Sequence, residues 1–232
     1  VHHRPSLGQV DGFAAEQGIV FLTIYIGVTI AFVLTPALLL PLLRLVRNHQ
    51  LTSVADLFAL DPSWVQENLL DAEASGWAKR YDWYGTTSWS LTERGKAENE
   101  RQLARELDAV GGRDTVARWH RAFLPLNRRH GAACTRWQLN THRDERVDAA
   151  VVRELGSIAH ELGAVCAGLT GVLDRFRIHL PRYRYALDRF SAGEADWLDA
   201  PDRPSCHLVW ISLHEDLLAT LGIERGTDDP QG

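Results

Sequence analysis

Hydrophobic residues are distributed in three different ways along the chain. Residues 18–43 run for 26 positions without a formal charge, and Ile19, Val20, Phe21, Leu22, Ile24 and Ile26 leave no polar stripe. At ~1.5 Å per residue the run is long enough for a ~30 Å hydrocarbon core, and it predicts a transmembrane helix. A buried helix of a soluble domain is ordinarily shorter and amphipathic. From residue 44 the pattern changes to short amphipathic stretches punctuated by caps. Thr52 or Ser53 opens one helix carrying Val54, Leu57, Phe58 and Leu60. Asp61-Pro62 opens a second, with Val65, Leu69 and Ala72 on one face and Gly76 as its left-handed stop. Two aromatic-rich runs, residues 77–81 and 87–91, flank a turn over residues 82–86 and predict a β-hairpin. Thr92 then caps a helix through Glu106. Past Gly111-Gly112, helical spacing resumes through Val116, Trp119, Phe123 and Leu124, then over residues 147–173, 183–190 and 207–221, with no alternating strand pattern.

These elements predict a mainly α protein with one small hairpin. Its parts are an N-terminal flank (1–17), a transmembrane helix (18–43), a helix-turn-helix unit with the hairpin (44–108), an all-α sensing or dimerisation domain (109–225) and a disordered tail (226–232). Asp11 and Glu16 precede the span, whereas Arg44, Arg47 and His49 follow it, so residues 44–232 are expected in the cytoplasm as the large part of a single-span membrane protein. A cleaved signal peptide fits less well, because Asp11 and Glu16 separate the basic start from the apolar run. The chain holds no Met, so Val1 reads either as an alternative start or as the cut end of something longer.

Helix, helix, hairpin and then Leu91-Thr92-Glu93-Arg94-Gly95 opening a helix is an order that resembles the winged-helix domain of MarR-like regulators. Trp137-Gln138, Trp197, residues 206–210 and residues 213–222 extend the likeness to an uncharacterised actinobacterial type of that family, over about residues 50–225. Residues 22–59, with Ile24-Tyr25-Ile26-Gly27, Leu38-Leu39-Leu40-Pro41, Arg44, Arg47 and residues 51–56, resemble one transmembrane helix and loop of the sodium:solute symporter superfamily. A carrier of that kind needs many spans, and this chain offers one. Residues 51–59 belong to both likenesses, which also suits a fusion or fragment of a symporter-like membrane protein. The regulator resemblance implies that the second paired helix reads the major groove and that the hairpin is a wing touching the backbone. Ser63 and Gln66 are then the base-edge readers, and Lys79, Arg80, Arg44 and Arg47 the phosphate contacts.

Charge complicates DNA as the partner. Residues 44–108 carry 8 basic and 11 acidic residues, a net of −3, within a chain of net charge −5. The second paired helix holds Asp61, Glu67, Asp71 and Glu73 and no Lys or Arg, so a winged helix that binds protein rather than DNA is the alternative. Of 25 basic residues two are Lys (Lys79 and Lys96), leaving 23 Arg.

In the C-terminal half His207, Trp210 and His214 share a helix face, and with Trp137 opposite them they suggest a pocket for an unknown small ligand. A spacing of seven between the two histidines does not make a metal site without a third ligand such as His160 or Cys166, so no metal or other cofactor is expected. Glu215 and Asp216 read as caps or ion-pair partners. Arg175, Arg177, Arg182, Arg184 and Arg189, interleaved with Phe176, Tyr183 and Tyr185, read as a solvated face, with an anion surface as the alternative. Cys134, Cys166 and Cys206 are too scattered for a disulfide framework and read as buried thiols. No nucleophile elbow, Walker loop or dinucleotide fingerprint is present, and no catalytic residues are expected. A homodimer is the remaining partner expectation.

Overall fold

The computed structural model describes residues 49–50, 61–83, 86–141, 144–201 and 203–227. The expected span 18–43, the helix expected between residues 52 and 60, Arg44, Arg47 and most of the expected tail lie outside the described residues. Among the described residues, no helix is long and apolar enough to cross a membrane. The protein is mainly helical with a small antiparallel sheet.

Helix α1 (Pro62–Ala74) begins as its sequence dictates. The Asp61 carboxylate accepts from the Trp64 N–H at 2.9 Å, and Pro62 occupies the first turn, where a missing N–H costs nothing. Val65, Leu69 and Ala72 are buried. Gly76 takes φ +71°, and Trp77 N–H donates to Ala72 O at 2.8 Å, closing the helix end. The sheet begins earlier in the chain with β1 (His49–Gln50), and the hairpin supplies β2 (Ala78–Trp83) and β3 (Thr86–Leu91). Strands β2 and β3 pair antiparallel from Ala78↔Leu91 to Trp83↔Thr86. The hairpin is therefore longer than its sequence suggests. Asp82 and Thr87, expected in or beside the turn, are a cross-strand pair in which Thr87 Oγ1 donates to Asp82 Oδ1 at 2.6 Å. Strand β1 adds to the other edge of β3, with His49 opposite Trp89, giving the order β1-β3-β2. Two residues carry no periodicity, so this strand was not legible in advance.

The junction from sheet to helix is tight. Thr92 N–H donates to Trp77 O at 2.9 Å, and its hydroxyl donates to Gly76 O at 2.7 Å while accepting from Gly95 N–H at 3.0 Å. A Cβ on Gly95 would lie 1.9 Å from Trp77 O, so only glycine allows α2 (Glu93–Ala109) this close to the start of β2. The Leu-Thr-x-x-Gly sequence is thus a clamp between helix and hairpin.

Helix α3 (Arg113–Leu139) continues well past the predicted stretch and runs through Pro125. Pro125 is exposed, so the carbonyl that loses its partner faces water and the helix tolerates it. Helix α4 (Glu145–Thr170) packs along α3, where a Cβ on Gly168 would meet Trp119 at 2.0 Å. A 3₁₀ turn (Asp174–Ile178) leads to α5 (His179–Ser191), and after a second short turn (Ala195–Trp197) α6 (Cys206–Leu221) closes the body. Phe123, Leu155, Phe176, Tyr183 and Leu217 fill its core, and Leu107 of α2 belongs to the same cluster. The sheet-bearing part and the helical body therefore share apolar contact through α2.

The arginine run at residues 175–189 is not one solvated face. Arg175 is buried, ion-paired to Asp216 and to Glu106 (2.9 Å), and donates to Thr220 Oγ1 at 2.6 Å. His179 Nε2 lies 3.1 Å from the same Asp216 carboxylate. The reason is tertiary: α6 places a buried carboxylate under Arg175, and a buried carboxylate requires a charged partner. Arg177 and Arg189 do stay at the surface, paired with Asp174 and Glu194.

Candidate functional site

The candidate residues fall in two places. The first is the exposed face of α1 and the hairpin. Ser63 and Gln66 are exposed, as the reading role requires, but Glu67, Leu70 and Asp71 are exposed beside them. Lys79 and Arg80 are both exposed, yet as neighbours on a strand they point to opposite faces of the sheet. Arg80 shares its face with Trp89, lies over that ring and sits 3.8 Å from the Asp82 carboxylate. Lys79 stands on the other face with its ammonium 5.1 Å from the centre of the Tyr81 ring. The two cations expected to act together do not line one surface.

The second place is the seam between α3 and α6. On α3 the inward positions His120, Phe123, Asn127, His130 and Cys134 recur at helical spacing; on α6 they are met by His207, Trp210 and His214. Trp210 is buried. It stacks on His130 at 4.3 Å between ring centres and on Phe123 at 5.0 Å, and its indole N–H donates to Asn127 Oδ1 at 2.8 Å. His214 lies against Phe123 and, at 6.3 Å, His120. His207 lies parallel to His130 at 6.2 Å. The residues singled out on α6 thus share one seam, and Trp137 packs edge-on against Phe190 of α5. Trp210, with both ring faces covered and its one polar atom bonded, is a core residue.

Electrostatics in the seam follow from burial. Burial, aided by His207, lowers the His130 pKa to about 3, so the ring is neutral at physiological pH. Burial likewise holds His207 below its usual value, against the opposing pull of Asp199. The Cys134 thiol is pushed up to about 12, first by burial and then by Asp199, and Cys206 is pushed up to about 12 by burial and by Cys134. Cys166, buried on α4, is also raised to about 12, mainly by burial. None of the three is a thiolate, and all are free.

The expected third metal ligands, His160 and Cys166, do not join His207. His160 is exposed on α4 and Cys166 lies near Leu180 and Arg184. What converges on His207 is His130 and Cys134, whose ligating atoms all lie within 4.8 Å of one another. The signal was legible in part: His130 and Cys134 are four residues apart, the spacing that puts two ligands on one helix face. Their partner comes from α6, and its arrival depends on packing alone. Comparison of the chain with family models, curated proteins and solved structures finds no match in any of the three.

Proposed function

We propose that the chain is a winged-helix transcriptional regulator held at a membrane by residues 18–43, with residues 44–108 docking on DNA and residues 109–225 forming its sensing or dimerisation body. The observation that carries this reading is the sheet. A short strand ahead of α1 adds to the far strand of a hairpin, and a capped helix follows the hairpin directly. That order supports the winged-helix reading, in which α1 would be the reading helix and β2–β3 the wing. Ser63 and Gln66 are free to meet base edges, and Lys79 is free to meet phosphate. Two contacts favour coupling between the body and the winged part: Leu107 is buried in the body's core, and Glu106 bonds the buried Arg175. The tether rests on the uncharged run in the sequence.

A second reading has its own support. Glu67 and Asp71 are exposed on α1 near Ser63 and Gln66, and Arg80 is partnered by Asp82, so the same fold also suits a module that binds a protein with a basic surface. A genomic pull-down with the full chain separates the two. Enrichment of defined sites, relaxed in sequence preference by Gln66→Ala, is the expected result. Uniform recovery of the genome would leave the protein-binding module. Membrane fractionation with and without residues 1–43 tests the tether, and full recovery of the intact chain without detergent would remove it.

A further inference from the structure

We propose that His130 and Cys134 of α3 and His207 of α6 form a binding site for a thiophilic transition-metal ion, zinc being the expected occupant. Sγ of Cys134 lies 3.8 Å from His130 Nδ1 and 3.9 Å from Nε2, and the His207 ligand atom is within 4.8 Å of both residues. In a tetrahedral zinc site with bonds of about 2.0–2.3 Å, neighbouring ligand atoms stand about 3.3–3.8 Å apart. The Cys134–His130 pair is already at that spacing. A modest swing of His207, which is half-buried and stands at the first turn of α6, closes the rest.

Two polar groups at this place lack the partners that burial demands. Nδ1 of His207 is shielded from solvent with no hydrogen-bond partner. The Tyr183 hydroxyl is also buried and unpartnered, and its ring lies 5.8 Å from that of His130. Orphaned buried groups are rare in native proteins, and an ion with its bound solvent is one of the few things that accounts for them. An ion bound through Nδ1 of His207 would give that nitrogen its partner, and a solvent molecule would complete the four ligands. Two imidazoles and one thiolate are a donor set that selects zinc or copper over magnesium or calcium. Binding exchanges the Cys134 S–H proton for the metal: a sulfur–metal bond forms, the S–H bond breaks, and the proton passes to solvent without any change in oxidation state. The ion would tie α3 to the start of α6, whether or not α1 touches DNA.

Cobalt(II) titration of the metal-stripped, reduced full chain tests this, with cobalt as the spectroscopic stand-in for zinc. The expected result is one equivalent bound, with thiolate-to-cobalt charge-transfer absorption that zinc abolishes. Cys134→Ser should remove the charge-transfer band and Cys166→Ser should keep it. His207→Gln should weaken binding at least about tenfold. Absence of the band in the wild-type chain, or a band surviving in Cys134→Ser, overturns the site. If Cys134→Ser fails to fold, His207→Gln decides, and unchanged cobalt affinity in that variant overturns it as well.

Discussion

At the scale of single residues, His130 couples the seam to pH. Its folded-state pKa, about 3, lies below the value of about 6.5 expected in the unfolded chain, so on acidification the unfolded state takes up the proton first. The contribution to stability is therefore complete above that unfolded value and falls as pH drops below it. The slope is at most about 1.4 kcal/mol per pH unit from this group, with His207 acting in the same direction. His130→Phe keeps a ring against Trp210 and removes the titration. Urea midpoints of the metal-stripped, reduced chain measured between about pH 5 and pH 7.5 should show a shallower pH dependence in the variant than in the wild type. Equal slopes would place the acid sensitivity elsewhere.

At the scale of elements, the junction between hairpin and α2 depends on two residues. Gly95→Ala drives a methyl into Trp77 O and should destabilise the protein by about 1–3 kcal/mol, read as a lower melting temperature and faster amide exchange in β2 and β3. Thr92→Ala removes the helix cap together with its bond to Gly76 O, and about 1 kcal/mol is expected from the cap. Strand geometry also sharpens the expectation for DNA. Because Lys79 and Arg80 face opposite ways, Lys79→Glu and Arg80→Glu should not be equivalent. Lys79→Glu should weaken binding to all sequences and flatten its salt dependence, while Arg80→Glu should chiefly disturb the contacts with Asp82 and Trp89. Equal losses from the two would mean that both strand faces touch DNA.

At the scale of the whole molecule, the buried Asp216 network joins α2, the 3₁₀ turn, α5 and α6. Burial by itself would raise the Asp216 pKa; Arg175 and His179 outweigh it and hold the carboxyl below its usual range. With the folded value below the unfolded one, its stabilisation is present above about pH 4 and is lost as pH falls through the folded value. Asp216→Asn leaves Arg175 buried without that charge and should cost about 3–5 kcal/mol. The double variant Arg175→Met with Asp216→Leu should recover much of the loss, because well-packed apolar groups replace buried ion pairs at little cost. A double variant as unstable as Asp216→Asn would show that the charges themselves hold α2 to the body.

What the sequence determined by itself was local. Asp61-Pro62, Thr92 and Gly76 mark ends that their own side chains and backbone enforce, and 3.6-residue spacing located α1, α2, α4 and α6. Proline's tendency to break a helix was overridden at Pro125 inside α3, where exposure lets water take the place of the missing donor. Tertiary structure decided the pairing of β1 with β3, the burial of Arg175 beneath α6, and the meeting of His207 with His130 and Cys134. Each of these joins residues far apart in the chain, where no local periodicity operates. Such contacts form because apolar faces of separate helices must be buried together, and the polar residues carried on those faces then find whichever partners the packing brings.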